Sequence, residues 1–353
     1  MSAILELRNV SKVFGGGRFS KRSTVAVEDV TFSIPADTPT MIAVAGESGS
    51  GKTTLSRLLL GVTTPSEGVV LYHGADLSKL GKAGRKQFLH DVQPIYQDPF
   101  GVYNPFYRAD HLLYVTVSKF KLAKSDQDSQ RIVEEALETV GLRPNEILGR
   151  YPHQLSGGQR QRVMVARALL LKPRVILADE PVSMVDASLR ATILESLRSL
   201  NRDFGISILY VTHDLTTAYQ ICENIIVMYR GVVVESGAVE EVIIQPKHPY
   251  TKLLVESIPQ MRAVRDWERE EVEGETIQSL DESQVSAGCK FADRCPAVMD
   301  QCWTAAPPLY RLSAKRAARC FIYEDEPLLD SADVTDTFVL QPTAQRAADQ
   351  SAN

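Results

Sequence analysis

The stretch Gly46-Glu47-Ser48-Gly49-Ser50-Gly51-Lys52-Thr53 decides the fold of this chain. It follows a short apolar run, Met41 to Ala45, and precedes a helix predicted from about Lys52 to Leu60. The glycines let the backbone turn tightly, so that its N–H groups converge on an anion such as phosphate. We therefore expect a nucleotide to bind at Gly46, Ser48, Gly49, Ser50, Gly51, Lys52, Thr53 and Thr54.

Several side chains in this motif and at the end of a later strand are suited to binding phosphate and Mg²⁺ and to hydrolysis. Lys52 supplies a compact positive charge for the β- and γ-phosphates of ATP, and the hydroxyl of Thr53 is expected to bind Mg²⁺. An apolar strand, Val175 to Ala178, ends in Asp179 and Glu180. A carboxylate at that position suits Mg²⁺, so we predict Asp179 as a ligand. Glu180 can then accept a proton from the attacking water.

A second anion-binding helix start is predicted at Leu155-Ser156-Gly157-Gly158-Gln159. Ser156 caps a helix whose free N–H groups and positive dipole end can receive a phosphate, and the glycines allow close approach. A chain with one phosphate loop does not need a second such site for its own nucleotide. The two sites make sense if two domains face each other and each completes the pocket of the other.

These motifs, in this order, resemble the ATP-binding-cassette (ABC) family over about residues 4 to 260. The resemblance implies an ATPase and roles for three further residues. Gln97 matches the Q-loop residue that touches Mg²⁺ and senses the membrane subunit. His213 matches the switch histidine that holds the γ-phosphate and water, and Asp186 matches the D-loop. The implied catalytic residues are therefore Glu180, His213 and Gln97.

Two positions depart from the family pattern. The D-loop usually reads Ser-Ala-Leu-Asp, but Met184 and Val185 stand in the middle here, so the contact across the dimer is expected to differ. The aromatic residue that stacks on adenine is often Tyr in the family. Here Phe14, beside Val13, is the candidate for that role, and the alternative is that Phe14 is part of the core.

The C-terminal part of the sequence indicates a branch of the family. The segment His248-Pro249-Tyr250-Thr251-Lys252-Leu253-Leu254, followed by Ser257-Ile258-Pro259, resembles oligopeptide, dipeptide and nickel importers. That resemblance implies a second, often non-identical cassette, two permease chains and an extracellular binding protein as partners. Peptides are the first choice of solute, and oligosaccharides are the alternative. The rivals are a soluble ABC ATPase outside transport and a redox-sensing regulatory module.

Four cysteines lie close together after this segment, namely Cys289, Cys295, Cys302 and Cys320. A disulfide is disfavoured because ATP-dependent enzymes work in a reducing cytosol. The spacings are wider than the closely spaced pairs typical of structural zinc. An iron–sulfur cluster also takes four thiolates and tolerates varied spacing. We rank a [4Fe–4S] cluster first, zinc second and buried thiols third, and the family resemblance favours a structural or regulatory role.

Composition and boundaries complete the sequence-based prediction. The formal net charge of −5 gives no basic field for nucleic acid, and no run approaches the ~18 apolar residues that span a bilayer. No signal peptide is predicted. The family resemblance implies a peripheral protein on the cytoplasmic face of the membrane, bound to permease subunits. We predict an α/β fold with a largely parallel core sheet, a β-subdomain and a helical subdomain. The predicted boundaries are a cassette over 1–260 with helices at about 101–165, an acidic linker over 261–286, a small cysteine-containing extension over 287–325 and a disordered tail over 326–353.

Overall fold

The computed structural model describes residues 2–15, 23–97, 101, 103–183, 185, 187–258, 287–329 and 333–340. The strands are β1 (Ala3–Gly15), β2 (Ser23–Pro35), β3 (Met41–Ala45), β4 (Glu67–Tyr72), β5 (Ala75–Asp76), β6 (Val92–Ile95), β7 (Val175–Asp179), β8 (Ser207–Thr212), β9 (Asn224–Tyr229), β10 (Val232–Ala238), β11 (Tyr310–Ser313) and β12 (Arg316–Ala318). The helices are α1 (Lys52–Leu59), α2 (Lys82–Asp91), α3 (His111–Phe120), α4 (Asp126–Thr139), α5 (Pro144–Ile147), α6 (Gly157–Leu169), α7 (Ala187–Phe204), α8 (Leu215–Ile221), α9 (Val239–Ile244), α10 (Pro249–Glu256) and α11 (Gln301–Thr304).

The described residues divide into two compact units. The first draws on residues 1–37, 42–78 and 212–353, and the second on residues 38–41 and 79–211. The phosphate-loop motif and His213 lie in the first unit. Asp179, Glu180, Gln97 and the Ser156 helix start lie in the second.

The first unit contains an antiparallel sheet with the strand order β2-β1-β4-β5. Along β2, Val30, Phe32 and Ile34 are buried, because alternate residues of a strand point to one face and these are the apolar ones. The same unit contains the strand order β11-β12-β10-β9-β3, in which β3 pairs with β9 in parallel. The phosphate-loop motif follows β3, so the loop starts from a fully buried strand.

The second unit contains the parallel strands β8, β7 and β6, in that order. Residues Val175 to Ala178 of β7 are buried, and a continuous apolar run is typical of a parallel strand covered on both faces. The helices α3 to α6 account for the helical region predicted over about 101–165. No helix within the described residues has the length and apolar character needed to cross a membrane.

The cysteine-bearing region is part of the first unit. The strands β11 and β12 continue the order of β10, and β12 pairs with β10 in an antiparallel register. Residues 287–329 therefore add two strands to an existing sheet. The predicted acidic linker over 261–286 lies outside the described residues.

Residues 333–340 differ from the prediction of a disordered tail. They include a 3₁₀ turn, Val334–Thr337, and the hydroxyl of Thr335 accepts a hydrogen bond from the N–H of Ser33 (2.7 Å). The side-chain amide of Asn224, which is fully buried, bonds both the N–H and the C=O of Val339 (2.6 and 3.1 Å). A buried amide needs such partners, so the segment satisfies a polar group that would otherwise be costly. The prediction for residues 341–353 lies outside the described residues.

Candidate functional site

The phosphate loop connects β3 to α1, and its backbone conformation requires glycine. Gly46 has φ 151° and Gly51 has φ 106°. A Cβ on Gly46 would lie 2.2 Å from the carbonyl oxygen of Met228, and one on Gly51 would lie 2.2 Å from that of Ala26. Neither neighbour is a movable side-chain end, so both positions exclude a side chain for steric as well as conformational reasons. The sequence motif thus corresponds to a tightly packed turn.

Lys52 points into the curve of this loop. Its Nζ donates hydrogen bonds to the carbonyl oxygens of Gly46 (2.7 Å) and Glu47 (2.8 Å), and the side chain is buried. Gly51 caps α1 without a side-chain hydrogen bond, which leaves the first N–H groups of the helix facing the loop. Thr53 is exposed on the first turn, whereas Ser50 is buried. Backbone donors, the ammonium group and an accessible hydroxyl therefore converge, as an anion with a bound cation requires.

The carboxyl end of β7 brings two predicted catalytic residues together. Gln97 Nε2 donates a hydrogen bond to Glu180 Oε2 over 2.9 Å. Glu180 has φ 45°, the left-handed region, and its N–H is bonded to the carbonyl oxygen of Val211 (2.9 Å). A non-glycine residue in this region costs about 1–3 kcal/mol and often marks a functional position. Asp179 precedes it and is half-buried, so its carboxylate is accessible to a cation.

The Ser156 helix start has the predicted cap. Ser156 Oγ accepts a hydrogen bond from the N–H of Gln159 (3.2 Å), and Gln159 Oε1 accepts one from the N–H of Ser156 (2.9 Å). This reciprocal pair is a capping box, which fixes the first turn of α6. Ser156 is exposed and Gly157 is half-buried, so the start of the helix is accessible from solvent.

His213 follows β8 at the start of a sharply capped turn. Asp214 accepts hydrogen bonds from the N–H groups of Thr216 (2.9 Å) and Thr217 (3.4 Å), and so caps α8. The N–H of Asp214 is itself bonded to the hydroxyl of Thr212 (2.9 Å). The cap fixes the backbone on both sides of His213, whose side chain is exposed.

Phe14 and Asp186 are the two remaining predicted site residues. The Phe14 ring is 44% exposed, and the Lys12 ammonium lies 5.1 Å from its centroid. The ring is therefore a surface aromatic group and is not part of the core. Asp186 lies outside the described residues.

Within the described residues, the four clustered cysteines are not arranged as a metal site. Burial raises the pKa of the Cys320 thiol to about 11, and the neighbouring thiols Cys289, Cys295 and Cys302 act in the same direction. Within the described parts of the chain, no three His, Cys, Asp or Glu residues are arranged to hold a metal ion. The residues therefore do not fit the predicted [4Fe–4S] cluster or the zinc alternative, and that prediction is unsupported.

The structure adds a contact to the phosphate loop that the sequence did not indicate. The N–H of Glu47 donates a hydrogen bond to the hydroxyl of Tyr250 over 2.8 Å. Tyr250 belongs to the segment 248–254, which served in the sequence only as a marker of a family branch. An aromatic residue in that motif was the only sequence feature that could have suggested a packing contact, and Tyr250 is indeed buried.

Comparisons with known proteins show the family to which the chain belongs. A family model described as "ABC transporter" matches residues 27–183, and one described as "Oligopeptide/dipeptide transporter, C-terminal region" matches residues 234–302. The oligopeptide transport ATP-binding protein AppD of Bacillus subtilis is 36% identical over 334 residues, which cover 92% of this chain and 98% of AppD. The probable peptide ABC transporter ATP-binding protein y4tS of Sinorhizobium fredii is 36% identical, and the match covers 91% of this chain and 90% of y4tS.

A solved structure gives the same result for the fold. The ATP-binding cassette MJ0796, a dimer in a post-hydrolysis state with ADP and Pi, has a TM-score of 0.59 and 28% identity. The match covers 67% of this chain and 98% of that cassette. The chain therefore belongs to the ATP-binding subunits of the oligopeptide/dipeptide family of ABC transporters, and it is an ABC-type ATPase coupled to transport.

Proposed function

We propose that this chain hydrolyses ATP to power the import of di- and oligopeptides through a membrane complex. The observation that carries the proposal is the hydrogen bond from Gln97 to Glu180 at the end of β7. It orients a carboxylate that can accept a proton from water. The match of the C-terminal region to peptide transporters supports the choice of solute.

In the proposed mechanism, the phosphate loop binds the polyphosphate of ATP. The backbone N–H groups of the loop and α1 surround the phosphates, and Lys52 turns from the carbonyl groups of the loop to the β- and γ-phosphates. Phe14 stacks on the adenine ring, which suits an exposed aromatic residue. Thr53, Asp179 and Gln97 supply oxygen ligands of the kind that Mg²⁺ prefers. When bound, Mg²⁺ neutralises charge on the β- and γ-phosphates.

The chemical step is the displacement of ADP from the γ-phosphorus by water. Glu180 takes a proton as the water oxygen attacks, the bond to the bridging oxygen of ADP breaks, and the products are ADP and inorganic phosphate. His213 holds the water and the γ-phosphate, because its turn is fixed by the Asp214 cap while its ring is accessible. Gln97 holds the carboxylate of Glu180 in the direction of the attack.

The signature motif Ser156 to Gln159 completes the pocket of a second cassette. Its capped helix start is accessible to a phosphate from outside. By the family resemblance, Asp186 corresponds to the D-loop. Closure of the two cassettes would reorient two permease chains, and opening after hydrolysis would reset them. In this arrangement the chain sits on the cytoplasmic face of the membrane.

The experiment is purification of this chain from membranes solubilised in mild detergent, with mass spectrometry of the proteins that accompany it. We expect two permeases, a related cassette and an extracellular binding protein. The binding protein is then titrated with a di- and tripeptide library and, in parallel, with oligosaccharides. Binding of peptides supports the proposal. Binding of oligosaccharides instead would mean that the imported solute is an oligosaccharide and not a peptide. Recovery of ribosomal proteins without any permease would contradict the transport role.

A further inference from the structure

The segment between Cys289 and Cys295 lies against the phosphate loop. From this segment, Arg294 donates one hydrogen bond to each carboxylate oxygen of Glu47, over 3.0 and 3.1 Å. Glu47 is the second residue of the phosphate-loop motif. A two-point guanidinium–carboxylate pair fixes both groups in direction as well as distance. The hydrogen bonds to the Glu47 carboxylate also raise the pKa of the Arg294 guanidinium.

The guanidinium of Arg294 packs against a cluster of aromatic rings. The rings of Tyr229, Tyr250 and Phe291 contact one another with centroid distances of 4.5, 5.2 and 5.5 Å. The guanidinium of Arg294 lies 5.8 Å from the Tyr229 ring and 5.7 Å from the Phe291 ring. Phe291 is 1% exposed, so the segment is anchored in the core next to the loop. Contacts of this kind pre-orient the guanidinium and reduce the entropy lost on pairing.

The segment has attachments that do not involve Arg294. Lys290 forms an ion pair with Glu28 (2.9 Å), and Asp293 forms one with Arg230 (2.9 Å). The Arg230 guanidinium also donates to the carbonyl oxygen of Lys290 (3.1 Å). Because these contacts remain when Arg294 is changed, a substitution there tests the pair with Glu47 without releasing the whole segment.

The charge of Glu47 matters because of its position. A cavity of about 150 Å³ is lined by Glu47 and other residues of the phosphate loop together with residues from outside it, namely Ser48, Gly49, Ser50, Tyr229, Arg230 and Arg294. A carboxylate on the loop repels the negative charges of a polyphosphate, and the repulsion between nearby charges is stronger beside a protein than in bulk water. A paired guanidinium cancels that repulsion.

We propose that Arg294 is a positioning residue for ATP, which acts by neutralising and orienting Glu47 on the phosphate loop. The cysteine-bearing region thereby sets the affinity of the ATP site, although it contributes no group to the phosphates. The inference rests on the ATPase function and on the proposed role of the loop. It assigns a task to this region that does not depend on a metal.

The test compares R294Q, E47Q and the double variant in the purified full chain, with ATP turnover measured against ATP concentration. We expect R294Q to raise KM for ATP about fivefold and to leave kcat within about twofold, because an interaction lost equally from bound ATP and the transition state changes only KM. E47Q alone leaves KM unchanged or lower, since it removes the repulsive charge. The double variant returns KM to the value of E47Q.

A matched control variant and a salt titration distinguish an electrostatic effect of R294Q on KM from a structural one. Arg202 pairs with Asp203 through two contacts (2.7 and 3.1 Å), and its side chain is 42% exposed against 35% for Arg294. R202Q should leave KM unchanged. The effect of R294Q should shrink as salt increases, because ions screen exposed charges. A purely structural role would not produce that dependence.

Three results would overturn the inference. They are an unchanged KM in R294Q, an equal rise of KM in R294Q and the double variant, and a rise of KM in E47Q. The last result decides the question even if R294Q fails to fold. Absence of ATP turnover in the wild-type chain is a different failure, because it contradicts the ATPase function itself. In that case binding of trinitrophenyl-ATP is measured in place of KM, with the same order expected among the variants.

Discussion

The phosphate loop and the end of β7 are two different kinds of site, and both are proposed to serve the same reaction. The loop is built from backbone, with Gly46 and Gly51 in conformations and spaces that exclude a Cβ. The end of β7 is built from side chains, with Gln97 bonded to Glu180. A backbone site depends on shape and fails when bulk is added. A side-chain site depends on chemical identity and fails when one functional group is replaced by another of the same size.

The largest effect should come from Glu180→Gln, which keeps the shape and removes the base. We expect kcat to fall by about 100-fold or more, since general-base catalysis contributes about 10²–10⁴-fold, while ATP affinity stays within about twofold. Phosphate release and nucleotide binding are the two measurements. Glu195→Gln, which changes an exposed glutamate on α7, is the matched control. Turnover that survives in E180Q would remove Glu180 from the catalytic role.

The next effect tests the backbone site with a matched pair of glycines. Gly46→Ala places a Cβ 2.2 Å from a backbone oxygen, whereas Gly49, with φ 83°, has nothing within 4 Å of its Cβ position. Both changes carry a conformational cost of about 1 kcal/mol, and only Gly46→Ala adds a clash that the backbone must relieve. We expect G46A to abolish ATP binding and lower the melting temperature clearly more than G49A. Equal behaviour of the two variants would mean that conformation alone governs the loop.

A smaller effect is expected when the side-chain site loses Gln97, which orients Glu180 and is also a proposed oxygen ligand for Mg²⁺. Gln97→Ala should lower kcat about tenfold, which corresponds to about 1.4 kcal/mol, the scale of one hydrogen bond to a charged group. The control is Gln130→Ala, because Gln130 makes a similar bond to Glu134 (2.8 Å) on the exposed face of α4. Steady-state turnover in both variants is the measurement. If Q97A matched wild type, the Gln97–Glu180 contact would have no catalytic role.

The smallest effect concerns the pH dependence of folding stability. It depends on Glu235, which holds the start of α10, the helix that contacts the phosphate loop. Glu235 accepts hydrogen bonds from the N–H groups of Lys247 and His248, where α10 begins, and α10 carries Tyr250 to the loop. Burial raises the pKa of Glu235 from 4.5 to about 7. A raised folded-state pKa adds stability that is full below about pH 4.5 and is lost as the pH rises through about 7.

Melting temperatures of wild type and Glu235→Gln between pH 5 and pH 8 test this point. The wild type should lose a few degrees more than E235Q as the pH rises, because the amide cannot ionise. The exposed Glu240→Gln on α9 should retain the slope of wild type. Identical slopes in wild type and E235Q would show that Glu235 does not titrate in this window.

The sequence predicted the local features of the site well. The loop, the strand that ends in Asp179 and the cap at Ser156 each depend on neighbours within a few residues, so spacing and residue type sufficed. The cysteine region was predicted poorly, because four thiols within a short stretch suggested a metal site that the described residues do not form. Residues 333–340 were predicted to belong to a disordered tail on the basis of composition. Composition carries no information about the hydrogen bonds that this segment forms with the buried side chain of Asn224.

The sequence by itself determined that the chain binds ATP and belongs to the ABC class, because a glycine loop, a strand-end carboxylate and a helix cap are short-range structures. Only the tertiary structure decided what the C-terminal region contacts. Strand β12 pairs with β10, and Arg294 meets Glu47 across 247 residues of chain. Such contacts form through packing of distant segments, and no local pattern of residue types encodes the partner of either group. The physical reason is that a charged side chain or an edge strand can pair with any complementary group that the fold places next to it, however distant that group is in the sequence.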